Sequence, residues 1–60
     1  MNKLIKNAKN QFSKTGKIVV NIYPNRDYSN PYEIVCNSIE DCIDLINYYM
    51  NSQSDDFNIL

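Results

Sequence analysis

Four side chains in this 60-residue chain have types and spacings that could do chemistry: the carboxylates Asp41 and Asp44, and the thiols Cys36 and Cys42. On a helix, an i, i+3 spacing puts both carboxylates on one face. Acid–base catalysis near neutral pH would want a partner that titrates there, and the chain has no histidine. Two cysteines without histidine cannot complete the usual tetrahedral zinc site. A single glycine cannot build a phosphate-cradling loop. A reactive thiol needs a basic or helix-terminal setting. Cys42 falls inside a helical pattern and Cys36 at the end of a strand, so both read as small core residues with free thiols. The expectation is a non-enzyme with no catalytic residue, no metal, no cofactor and no small-molecule substrate.

The strongest pattern is in the charge. All six basic residues, Lys3, Lys6, Lys9, Lys14, Lys17 and Arg26, precede position 27. All seven acidic residues, Asp27, Glu33, Glu40, Asp41, Asp44, Asp55 and Asp56, fall at or after it. A net charge of −1 conceals this division. The plainer reading is mutual neutralisation of two neighbouring helices, with each exposed pair contributing about 0–1 kcal/mol.

The elements that would position these groups follow from periodicity. Leu4, Ile5, Ala8 and Phe12 mark one face of a helix over residues 2–14, with the lysines opposite. Thr15-Gly16 ends it, because glycine takes the left-handed cap without steric cost. Residues 17–23 are rich in β-branched side chains and alternate Ile18, Val20, Ile22 with Val19, Asn21, Tyr23, the mark of a strand. Pro24 ends that strand, and the turn formers through Pro31 read as one loop. A second strand is expected at about 32–36. Ser38 is a natural N-cap for a second helix with apolar residues Ile39, Cys42, Ile43, Leu45, Ile46, Tyr49 and Met50. These span an arc of about 160°, wide for a helix on a hairpin. Residues 53–60 read as a tail after a single domain over 1–52.

The expected fold is therefore α+β: a small α-β-β-α domain, with two amphipathic helices on an antiparallel two-stranded hairpin. A lone hairpin is marginal in water and has two open edges. A core this small usually needs extra support. Homodimerisation, through either an edge strand that extends the sheet or an open sheet face, is the expected source, and a structural subunit assembling through its sheet edge is one alternative function. The basic start is not followed by the apolar run of a secretory signal, and no stretch approaches the roughly 18 apolar residues of a membrane span. The expectation is a cytoplasmic protein with no membrane association, its thiols reduced. Ten asparagines, with many Ile, Lys and Tyr, imply AT-rich coding and so a low-GC bacterium, or a phage or mobile element within one.

Three surfaces are candidate sites. Glu40, Asp41, Asp44 and Tyr48 would form an acidic face with an aromatic anchor of the type enriched at interface hot spots. Arg26, Asp27, Tyr28 and Asn30 lie in the loop, where the plainer reading is a solvated turn with an Arg26 contact to Asp27 or Glu33. Lys3, Lys6, Lys14 and Lys17 would form a basic face for a phosphate backbone, with Tyr23, Tyr28 and Tyr32 available to stack on bases. A pI near 5 argues against a dedicated nucleic-acid binder.

The stretch from Tyr32 to Tyr49, a strand, a serine and an amphipathic helix, resembles the closing βα part of homing-endonuclease domains. The acidic dodecapeptide helix that makes those proteins nucleases is absent, so the resemblance implies no nuclease activity. In size, acidity and lack of catalytic groups the chain is similar to the small inhibitors made by phages and mobile elements, such as anti-CRISPR proteins and inhibitors of DNA-repair enzymes. The leading expectation is a protein-binding inhibitor of this kind. It would dock on a host nucleic-acid-handling protein and block nucleic-acid access or assembly. The alternative is a nucleic-acid-binding accessory protein using the basic helix.

Overall fold

Ile18, Val20 and Ile22 expose no surface at all, because the strand that carries them lies at the centre of the sheet. The structure, a computed structural model, describes residues 2–60. Its elements are α1 (Asn2–Thr15), β1 (Ile18–Tyr23), a short 3-10 turn (Pro24–Arg26), β2 (Tyr32–Cys36), α2 (Ile39–Met50) and β3 (Asp56–Asn58). The sheet has three antiparallel strands in the order β2-β1-β3.

The α+β class and the two helices agree with expectation, but the two-stranded hairpin does not. The segment read as a tail supplies β3, whose Asn58, Phe57 and Asp56 pair with Asn21, Ile22 and Tyr23. The physical reason lies in the alternation Asp56, Phe57, Asn58, Ile59: Phe57 packs on the core and Ile59 is buried within it. On the other side of β1, Ile18 opposes Cys36, Val20 opposes Ile34 and Ile22 opposes Tyr32.

Both helices cover one face of this sheet. Ala8 from α1 and Cys42, Ile46 and Tyr49 from α2 join the inward strand residues, with Leu4, Ile5, Phe12, Ile39 and Leu45 packed around them. Each fully buried aliphatic side chain contributes about 1.5–3 kcal/mol by leaving water. The arc of α2 that is buried is narrower than the sequence pattern: Ile43 and Met50 remain 37% and 54% exposed. Among the described residues, no helix lies over the opposite sheet face, which carries Val19, Asn21, Tyr23, Glu33 and Val35.

The caps form as the residue types require. The Asp41 N–H donates to Ser38 Oγ at 3.1 Å, which holds the start of α2. Gly16 takes φ +77° and its N–H donates to the Phe12 carbonyl at 2.9 Å, closing α1.

One contact ties the chain's two ends through the sheet. β3 pairs only with residues 21–23 of β1, so the lower half of that edge needs another partner. The Gln11 side-chain amide fills the gap: Oε1 accepts from Val19 N–H at 2.9 Å, and Nε2 donates to the Leu60 main-chain oxygen at 2.7 Å. One turn earlier on α1, Asn7 Nδ2 donates to the Ile59 carbonyl at 2.9 Å. Among the described residues, no helix is long and apolar enough to cross a membrane.

Candidate functional site

α2 carries its buried residues along one side, so its remaining faces are presented to solvent. Glu40, Asp41, Asp44 and Tyr48 are all exposed. The three carboxylates accept no side-chain hydrogen bond from any lysine or arginine among the described residues. The neutralisation expected between the helices is therefore not made by direct pairing. Lys3, Lys6, Lys9, Lys14 and Lys17 are likewise exposed. The two charged faces sit on one molecule as separate surfaces.

Tyr48 is the most exposed aromatic residue, at 70%. It is nonetheless positioned. Its ring meets Tyr49 edge-on at 5.1 Å. Tyr49 in turn is buried, packs at 6.3 Å from Phe57, and shares a 3.0 Å hydrogen bond between its hydroxyl and that of Tyr32 on β2. That bond, followed by burial, pushes the Tyr49 pKa up to about 12. The chain Tyr48, Tyr49, Tyr32 thus joins the acidic face of α2 to the outer strand of the sheet. Burial raises the Cys36 thiol at the end of that strand, and the Asp41 charge adds to the rise.

The loop residues are brought together differently from the sequence reading. Arg26 makes no hydrogen bond to Asp27 or Glu33 among the described residues. Asp27 instead accepts from Ser29 Oγ at 2.6 Å and Ser29 N–H at 3.1 Å, and these bonds hold its carboxyl below the usual value. Tyr28 folds back over the open sheet face, its ring tilted at 50° against Tyr23 with centroids 5.0 Å apart, and donates to Asp56 Oδ2 at 2.7 Å. The pair shifts both groups apart: Asp56 is lowered by the Tyr28 hydroxyl, and Tyr28 is raised by the carboxylate. Asn25 N–H donates to Asp55 Oδ1 at 2.9 Å. These anchors hold Asn25 and Arg26 in the left-handed region, with φ 54° and 58°. Tyr23 and Tyr28 are committed to each other and to β3, and do not form a stacking platform with Tyr32.

Cys36 and Cys42 are both buried and unbridged. Burial drives the Cys42 thiol up to about 11, which suits a packing role. Among the described residues, no group of three or more His, Cys, Asp or Glu side chains is placed to hold a metal. A shallow depression lined by Ile5, Lys6, Lys9 and Asn10 lies on α1 alone.

Sequence reasoning missed the surface beside the acidic face. On β2, Tyr32 is 46% and Val35 is 51% exposed, although the two lie on opposite sides of the strand. The missing information was the place of β2 at the sheet's edge, which depends on β3 taking the other side of β1. Compared with known proteins, the chain matches no family model, no curated protein and no solved structure.

Proposed function

We propose that this protein is a non-catalytic binding module whose working surface is the outer face of α2. In this reading it docks on a basic groove of a nucleic-acid-handling protein in the cytoplasm. Glu40, Asp41 and Asp44 take the place of phosphates there, and Tyr48 inserts as the anchor. The outcome is inhibition, by blocking nucleic-acid access or assembly, as expected of a small inhibitor from a phage or mobile element.

One observation carries the reading. Tyr48 is held on the buried Tyr49 ring while it remains the most exposed aromatic, and it shares a helix face with carboxylates that have no cationic partner among the described residues. An aromatic fixed in this way loses little side-chain entropy on binding. Carboxylates without an internal partner favour a cationic surface and speed encounter with it.

The test is capture of partners from a low-GC bacterial lysate by the tagged protein, with and without nuclease. One stoichiometric protein should survive nuclease. Asp41→Lys with Asp44→Lys should abolish its capture, and Tyr48→Ala should weaken binding about 30-fold, the loss for a hot spot of about 2 kcal/mol. Circular dichroism should show the fold retained. Unchanged capture by these variants would remove α2 as the working face. Loss of all partners on nuclease treatment would transfer the function to Lys3, Lys6, Lys14 and Lys17.

A further inference from the structure

The two edges of the sheet are treated differently. On the β3 side, the donors that would invite another strand are already taken. Val19 N–H is bound by Gln11 Oε1, and Phe57 N–H is bound by the Asp56 carboxylate at 2.8 Å. On the β2 side, among the described residues, nothing besides β1 bonds to the backbone of residues 32–36.

Alternation identifies which groups lie open. Val19 N–H points away from β2, since Gln11 takes it on the other side. Its neighbours Ile18, Val20 and Ile22 must therefore point their backbone groups toward β2, where they meet Cys36, Ile34 and Tyr32. That leaves Glu33 and Val35 with N–H and C=O directed outward from the free edge. Beside them stand the exposed Tyr32 and Val35 side chains. Above the same strand lies the side of α2 that bears Asp41, whose charge reaches Cys36, and whose Tyr49 bonds Tyr32.

We infer that the free edge of β2 and the acidic flank of α2 together form a strand-addition site for an extended basic segment of a partner protein. The inference rests on the proposed docking role of α2 and specifies how the partner engages it. The incoming strand exchanges backbone hydrogen bonds with Glu33 and Val35. Its lysine or arginine side chains, alternating onto the helix-covered side of the sheet, reach Asp41 and Asp44. Charge selects this occupant over a second copy of the chain. Pairing two β2 edges would bring two acidic α2 flanks together, and like charges so juxtaposed are repelled.

The probe is a capped synthetic hexapeptide alternating lysine and valine, added to the intact protein and followed by amide hydrogen exchange and titration. Exchange should slow at Glu33 and Val35 and stay unchanged at Val19. A version of the peptide with methylated backbone nitrogens should bind at least about tenfold weaker, since each lost ladder bond weakens binding several-fold. A glutamate–valine hexapeptide should not bind. Val35→Pro removes one outward N–H while sparing the bonds to β1, as edge strands allow, and should weaken the lysine–valine probe several-fold.

Equal affinity for the methylated peptide, or no binding of the lysine–valine peptide, would overturn the inference. So would protection of Glu33 and Val35 that grows with protein concentration alone, which would assign the edge to a second copy. If Asp41→Lys with Asp44→Lys abolishes capture of the cellular partner but Val35→Pro leaves it intact, the strand-addition site falls and the docking reading stands. If capture and probe binding both ignore the α2 variants, the docking reading falls and the basic partner with it.

Discussion

Replacing Gln11 with alanine should destabilise this domain more than any surface position on α1 suggests. The Gln11 amide stands where a longer β3 would have continued the ladder: it accepts from Val19 N–H at 2.9 Å and donates to the Leu60 oxygen at 2.7 Å. Val19 is half-buried, so losing its acceptor leaves a donor poorly reached by water, at a cost of about 1–3 kcal/mol. The Leu60 contact is exposed and adds about 0.5 kcal/mol, the low end for a hydrogen bond. The sum is about 2 kcal/mol. Domains of this length are stable by about 3–9 kcal/mol, so the change removes a large fraction. In urea, with a slope of about 1 kcal/mol per molar, the midpoint should fall by about 2 M. Hydrogen exchange should accelerate at Val19 first. Gln11→Glu separates the two bonds. Its carboxylate still accepts from Val19 but repels the Leu60 oxygen, so its pKa is raised in the folded state. That variant is therefore most stable at low pH, where the acid can donate to Leu60, and loses stability as pH rises through the folded pKa. A loss under 0.5 kcal/mol for Gln11→Ala, with Val19 exchange unchanged, would show that water replaces the amide and that this edge is not held by Gln11.

Two further outcomes follow from strained or shifted groups. Tyr49 is raised to about 12 by its bond to Tyr32 and by burial, so its stabilising contribution is complete below the unfolded value near 10 and is lost as pH rises through 12. Ultraviolet titration should show one tyrosine ionising last, and Tyr32→Phe should move it toward the others; an unchanged late step in that variant would refute the pairing. Arg26, at φ 58°, occupies a region that costs a non-glycine residue about 1–2 kcal/mol. Arg26→Gly should leave thermal stability equal or raise it by up to about 1 kcal/mol after the entropic cost of glycine, whereas Arg26→Val should lower it by about 1–2 kcal/mol. Equal melting temperatures for the two variants would contradict the left-handed turn.

The parts of the fold legible in the sequence are those with a strong local signal. Ile18, Val20 and Ile22 alternate without interruption, and Ser38 stands directly before an apolar helical repeat; both elements fall where those patterns place them. β3 was not legible because its signal is short and diluted. Phe57 and Ile59 alternate with Asp56 and Asn58, but they follow a polar run and amount to two inward residues. Such a segment becomes a strand only because β1 offers an edge and Gln11 and Asn7 secure the residues after it. The width of the α2 stripe misled in the opposite direction. Ile43 and Met50 fit the helical period, but the sheet beneath is too narrow to cover an arc of that size, and they stay exposed.

The candidate surfaces divide along the same line. Residue type and helical period suffice to put Glu40, Asp41, Asp44 and Tyr48 on one exposed face. They do not say what lies next to that face, because this depends on which strand α2 crosses. The Tyr32–Tyr49 bond joins residues seventeen apart in sequence and supplies that information. It sets α2 over a strand whose outward backbone groups have no partner among the described residues, while side chains take donors at the opposite edge. A protein with one masked edge and one open edge is selective about where another chain can add. Under the proposed strand addition, the α2 carboxylates decide which chain, since a basic strand gains at each of them and an acidic one is repelled.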